Sequence, residues 1–241
     1  MPKQKSLAVI PEGGFAITVD EQAATSVGEV LTSNGIRPFD LGKLTVPPGG
    51  GTSWEIDTLE GSVSEKTIDV VIGAVRSGRR QWWRLDMNDP DRDGNSPPEC
   101  QSMDGITGQG VNSMTDDTVG EHSCQECQWS QWGSARNGSG SDCRQGALLL
   151  VFREASRLPD VLNLSVTSLN NLRKYAVKLA GEGLQAHQVI TQLGLEQAAS
   201  KTGIKYSRVT FQYVRAMDPD ERALVERTHA DLDEYLTNSR S

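Results

Sequence analysis

All four cysteines of the 241-residue chain lie between Cys100 and Cys143, spaced Cys100-x23-Cys124-x2-Cys127-x15-Cys143. A Cys-x2-Cys pair lets two thiolates converge on one ion through a tight turn. Two flanking cysteines then complete a tetrahedral all-thiolate set, which suits zinc. The sequence between them is rich in Gly, Ser, Asp and Asn and holds almost no apolar run. Such a stretch cannot order itself by burying apolar area, so a bound ion must supply the ordering free energy, on the order of 10 kcal/mol in zinc-binding peptides. Four thiolates leave no open coordination position, so the expected ion, one Zn2+, is structural. A redox Cys-x2-Cys, an iron–sulfur cluster and four unrelated thiols are the alternatives; nothing resembling a βαβ unit surrounds Cys124 and Cys127. His122 is a substitute ligand if one cysteine lies out of reach, although a lone His beside ligands is more often a surface residue or their neighbour. Asp104, Gly105 and Gly108, and then Trp132, Gly133 and Ser134, read as turn chemistry or as permissive loop residues.

A second constellation precedes the cysteines. In RRQWWRL, strand alternation puts Arg80, Trp82 and Arg84 on one face and Gln81, Trp83 and Leu85 on the other. A cation–aromatic–cation face suits single-stranded nucleic acid, where a base stacks on the ring and guanidinium groups hold phosphates. Arg79 adds charge to this cluster. Trp54, Trp129 or Trp132 would extend the stacking platform, and Arg208 belongs to a second basic cluster with Lys201 and Lys205. The plainer reading is that a strand tryptophan is core and the arginines solvate a sheet face. No catalytic arrangement is legible. None of His122, His187 and His229 sits in a nucleophile motif, VPPGGGTSW lacks the lysine and context of a P-loop, and DPDRD (89–93) reads as a solvated acidic loop. The chain is therefore expected not to be an enzyme.

The elements that must position these residues follow from periodicity. GFAITV (14–19) reads as a strand, followed by a helix that Gly35 stops. LTVPPGGGTSW reads as a loop. TIDVVIGAV (67–75) is β-branched and apolar, a buried strand; RSGR reads as a turn, and QWWRL as the returning arm of a hairpin. Residues 146–153 and 160–166 read as strands. TSLNNLRKYAVKLAGEG reads as a helix with Leu169, Leu172, Ala176 and Leu179 on its apolar stripe, capped by Thr167 or Ser168. HQVITQLGLEQAAS and IKYSRVTFQYVRAM read as two strands joined around Lys201–Gly203. The last helix opens at DPDE with Asp218 and Glu221 in a capping box. Strands in consecutive hairpins favour a mainly β (α+β) fold, an antiparallel OB-like barrel with helical decorations and a zinc-binding loop insertion. One OB-like domain, 1–241, would carry an inserted zinc knuckle at 96–145 and an acidic C-terminal helix at 216–241.

Bulk composition fits this reading. Hydrophobic residues make up 36% and charged residues 23% of the chain, as in soluble globular proteins. No apolar run approaches a membrane span, and the apolar stretch in MPKQKSLAVIPEGG is too short for a signal-peptide core of about 7–15 residues. The chain is read as cytoplasmic, a compartment in which disulfides are rare. The net charge of −8 argues against a surface that binds nucleic acid everywhere, but local charge matters more than the total.

The order C-x-S-x-DG, C-x2-C-x4-WGS and C, followed by a Leu/Val-rich strand, a TSLNNLRKY helix and a G-x-KYSRVTF strand, resembles a family of phage and mobile-element zinc-containing single-stranded DNA-binding proteins. The resemblance covers about residues 40–215 and is specific in the cysteine segment. It implies an OB-like fold with a zinc insertion, ligation by Cys100, Cys124, Cys127 and Cys143, and a role in DNA replication or recombination, in the host cytoplasm if phage-encoded. Single-stranded DNA is the implied partner, with replication or recombination proteins and further copies of the chain beside it. The alternative is a non-enzymatic zinc-containing adaptor that binds a replication, transcription or host-defence factor. The chain departs from the family in ending YLTNSRS, without the acidic tail that recruits partners.

Overall fold

A run of β-branched and apolar residues flanked by polar ones dictates the centre of the molecule. Thr67–Trp82 forms one 16-residue strand, β4. The computed structural model describes residues 32–35, 40–58, 60–85, 89, 91, 96–111, 119–136, 140–154, 156, 158–200, 203–219, 221–223, 225 and 226. The strand expected at 14–19, most of the helix after it and most of the acidic C-terminal helix lie outside these residues.

Strand β4 pairs along most of its length with β8 (Arg144–Arg153), and β8 pairs with β9 (Asp160–Ser165), both antiparallel. The two-residue β1 (Lys43–Leu44) adds parallel to β9. On its other side β4 has two partners. Its first residues, Thr67–Val70, pair with β10 (Val189–Ala199), which forms a hairpin with β11 (Lys205–Ala216). Its last residues, Arg80–Trp82, pair with β5 (Cys100–Ser102), which leads to β6 (Thr107–Val111) and β7 (Val119–Ser123). A separate hairpin, β2 (Trp54–Thr58) and β3 (Gly61–Glu65), precedes β4. The fold is mainly β, with mixed pairing in its nine-stranded sheet. Among the described residues β1, β7 and β11 do not pair with one another, so the sheet does not close into a barrel.

Both faces of the central strands are covered. Val70, Ile72, Leu149, Val151, Leu162 and Leu193 pack on one side with Leu169 and Leu172 of helix α1 (Val166–Gly181) and with Trp54. Val71, Ala74, Leu148, Leu150 and Phe152 pack on the other with Ile190, Met217 and Val225. Continuous apolar runs rather than alternation are what two buried faces require.

Two local expectations change. RSGR is not a turn: β4 runs straight through it with a register shift between Ser77 and Arg79. Gly78 takes up the irregularity at φ 99°, a left-handed backbone that glycine adopts without a Cβ penalty. Helix α1 starts one residue earlier than expected, after Ser165, and its N-terminus has no side-chain cap there. Ser168 instead turns inward, and its hydroxyl accepts the Val209 amide at 3.0 Å. The capping box at Asp218 and Glu221 is present, with reciprocal amide–carboxylate bonds of 2.9 Å.

Candidate metal centre

The cysteine segment is not a bare loop. It forms β5, β6 and β7, hung on the far end of β4. Gly110 makes the close pairing feasible: at φ 130° it sits opposite Cys100, where an added Cβ would lie 2.0 Å from the Glu99 carbonyl oxygen. The Asp104 carboxylate closes the β5–β6 turn by accepting the amides of Ile106 and Thr107 at 2.8 and 2.9 Å and the Ser102 hydroxyl at 2.9 Å. The second turn is also fixed. The Ser134 hydroxyl donates to the Trp129 carbonyl at 2.9 Å, Cys143 N–H donates to the same carbonyl at 2.7 Å, and the Gln131 amide donates to the Gln125 carbonyl at 2.6 Å.

These turns bring all four thiols into one interior. Cys100, Cys124, Cys127 and Cys143 are buried and free. Burial first, and then the neighbouring thiols, pushes the Cys100 thiol up to about 12. Burial pushes Cys143 up to about 11, against the pull of the Ser130 hydroxyl and the Arg80 guanidinium. Cys124 is raised by burial too, opposed by Ser102 and Arg80. His122 Nε2 lies 3.4 Å from Cys100 Sγ, its ring seated against Gly108, where a Cβ would come within 2.7 Å. As placed, no three His, Cys, Asp or Glu groups among the described residues are close enough together to hold an ion. The sulfurs share one interior without standing at ligand spacing.

By ligand type, though not by spacing as placed, the donor set suits zinc. Four buried thiols with no carboxylate among them form a soft, closed set. Among the buried polar atoms around them, Arg80 Nη1, Ser130 Oγ and His122 Nδ1 have no partner within hydrogen-bond geometry among the described residues. Arg80 and Ser130 favour the ionised form of Cys143, and the Asp104 carboxylate opposes that of Cys124. Ligation would draw the sulfurs together from this spacing.

The tryptophans serve this lobe rather than its surface. Trp82, expected to stack on a base, is 3% exposed. One face lies on Trp129 at 3.5 Å between centroids and 2° between planes. The Arg136 guanidinium carbon stands 5.5 Å from the ring centroid, and Nε1–H donates to Asp142 at 2.6 Å. Trp54 is 0% exposed, in the main core. Neither ring offers a face to a ligand, because the β4 irregularity and β5 pairing turn the expected open face inward. Arg80 is paired with Ser102, on the face that carries Cys100, and its Nη1 is buried. Arg79 donates to Asn163, and burial lowers its pKa. Arg84 is exposed just past the end of β4, its amide bonded to Glu99 at 3.1 Å. Arg208 pairs with Glu196 at 2.8 Å on the β10–β11 hairpin, remote in sequence from the lobe. The structure thus does not bring the expected nucleic-acid residues together on one face.

The chain matches no family model, no curated protein and no solved structure.

A different surface gathers basic and aromatic groups. A groove of about 230 Å³ lies between α1 and the β10–β11 hairpin, lined by Asn171, Lys174, Tyr175, Lys178, Glu196, Thr210 and Phe211. Helix α1 carries Arg173, Lys174 and Lys178 and no acidic residue. Glu196 is occupied by Arg208 and Asn171. Phe211 stacks against Tyr175 at 5.9 Å, and Tyr213, two residues along the same strand, is 46% exposed. The apolar stripe of α1 gives no sign of this site in the sequence. The available signal was two lysines four residues apart on a helix without acids.

Proposed function

We propose that the chain is a zinc-braced, OB-like single-stranded DNA-binding protein that contacts the strand without base specificity, in replication or recombination. The observation that carries this reading is the α1–β11 groove, where Lys174 and Lys178 stand one helical turn apart beside Phe211, with Tyr213 exposed two residues along the same strand. Single strands are held by cations that track phosphates and by rings on which bases stack, each stacked base worth roughly 1–3 kcal/mol. The OB-like part rests on antiparallel β4, β8 and β9, with the cysteine lobe inserted between the first two. The ion is one structural Zn2+ on Cys100, Cys124, Cys127 and Cys143, and the proposed protein has no catalytic role. An oligo-dT titration followed by anisotropy is expected to show binding at low salt that weakens steeply as salt rises. Absence of binding at low salt overturns the reading. Tryptophan quenching is a poorer probe here, since Trp54 and Trp82 are buried.

One observation favours the adaptor reading as the second choice. Trp132 is 83% exposed on the turn that Gln131 and Ser134 fix, and rigid exposed aromatics are the anchors of protein interfaces. A partner captured from nuclease-treated extract by the wild-type chain and lost with Trp132→Ala supports it. Capture that survives the substitution counts against it.

A further inference from the structure

The register around the thiols assigns a role to an arginine. In β4, Trp82 is paired directly with Cys100 and Arg80 with Ser102. On the other side of β4, Arg80 is paired with Gln145, two residues from Cys143. Directly paired residues of neighbouring strands share a face, as do residues two apart along one strand. Arg80, Trp82, Cys100 and Ser102 therefore form one patch, with Cys143 packed against Trp82 and Cys100. Within it Arg80 Nη1 is buried and has no hydrogen-bond partner among the described residues. A guanidinium carries five donors and keeps its charge, so a buried and unpartnered Nη1 is costly unless an anion satisfies it. The Asp104 carboxylate lies near this interior too, but its Oδ1 already accepts the Ser102 hydroxyl and the Ile106 and Thr107 amides. The sulfurs that share the face of Arg80 are the other anions it could meet on ionisation, and Arg80 favours the ionised form of both Cys124 and Cys143.

We propose that Arg80 is a built-in counter-cation of the four-cysteine metal centre, offsetting the charge of the thiolates and donating to sulfur, rather than a phosphate contact. This rests on the zinc reading of the cysteines. A divalent ion with four thiolates carries a net charge of −2, which the interior of a small lobe tolerates only with a compensating charge or hydrogen bonds to sulfur. Arg80 supplies both, with Ser130 as a neutral donor; the Ser102 hydroxyl proton is already given to Asp104. Arg79, its neighbour in sequence, is bonded to Asn163 of β9 instead.

The test uses the full-length chain, Zn2+ competition against a chromogenic chelator, and Co2+ absorption. Arg80→Gln is expected to weaken Zn2+ binding about 10–100-fold, the usual cost of losing a group that supports ligands. Arg80→Lys should recover most of that loss, and Arg79→Gln should bind Zn2+ within about threefold of wild type. Co2+ spectra of all four proteins should share one four-sulfur tetrahedral envelope, showing that the ligands themselves are unchanged. Wild-type affinity in Arg80→Gln, or equal losses in Arg80→Gln and Arg79→Gln, overturns the assignment. If Arg80→Gln does not fold, Arg80→Lys carries the test alone: a loss under tenfold is expected, and one as large as that of Cys127→Ser overturns it. A wild-type chain that takes up no Zn2+ or Co2+ removes the metal reading itself, an outcome distinct from failure of the arginine assignment.

Discussion

Burial of the thiols sets the pH behaviour of the lobe. In the metal-free chain Cys100 and Cys143 are pushed up to about 12 and about 11 from an ordinary value of 9.0. Above pH 9 the unfolded chain gives up thiol protons that the folded chain still holds. The contribution of these groups is therefore complete below pH 9 and is lost as pH rises toward 11–12. Denaturant midpoints of chelator-treated protein should be flat from pH 7 to 8.5 and fall above 9, with most of the fall absent in a Cys100→Ser/Cys143→Ser variant. A midpoint unchanged to pH 10.5 contradicts this. If the proposed Zn2+ is bound the sign should reverse, because protons would then compete with the ion for thiolate and acidification would release it. Trp82 belongs to the same scale. Its indole is enclosed by Trp129, Arg136 and the cysteines, so Trp82→Ala should cost about 3–5 kcal/mol in chemical denaturation, whereas Trp132→Ala should leave the midpoint nearly unchanged.

At the scale of elements, β4 is the mechanical link between the main core and the cysteine lobe, and Gly78 is where the two touch. An added Cβ at Gly78 would lie 2.5 Å from the Asp104 carbonyl oxygen, and one at Gly105 would lie 2.6 Å from the Gly78 carbonyl oxygen. Backbone therefore meets backbone, and Gly78→Ala should cost about 1–3 kcal/mol through its positive φ alone. The loss should appear as faster amide exchange in β5 and β6, with β8–β9 exchange unchanged; uniform acceleration would mean that the lobe and core unfold as one. The apolar strands and α1 were legible because 67–75, 146–153 and Leu169, Leu172 and Leu179 bury themselves whatever surrounds them; Ala176, expected on the same stripe, is exposed and Tyr175 is buried instead. Burial of Trp82 and Trp54 is the plainer of the two readings that the sequence offers; the inward turn of Arg80 was not legible. Alternation assigns two faces to a strand but cannot say which is covered, and here the cover is a polar segment 18 residues downstream of Trp82 whose pairing depends on glycines and backbone hydrogen bonds. The cysteine spacing announced a shared interior, yet nothing in it announced the guanidinium inside.

Across the whole molecule, an acidic chain can hold DNA only by separating its charges. The net charge is −8, so any phosphate-binding surface must be local, and salt must screen repulsion from the rest as well as attraction at the site. Helix α1 meets that requirement, with three cations and no acid. It also lies on the main core, so its charge is positioned by Leu169, Leu172 and Leu179 and not by the cysteine lobe. Two consequences separate the groove from the originally expected arginine strand. Reversing charge with Lys174→Glu/Lys178→Glu should weaken oligo-dT binding at least tenfold at low salt. It should also make the log–log salt dependence shallower by about 1–2, since roughly 0.7 counterions are released per phosphate neutralised on a single strand. Both lysines are exposed, so the thermal midpoint should not move. Chelation, by contrast, should loosen the cysteine lobe while leaving the α1 groove in place, and most oligonucleotide affinity should survive it. Binding that persists in the double lysine variant but vanishes on chelation would place the DNA contact on the metal lobe, and the groove would lose its role.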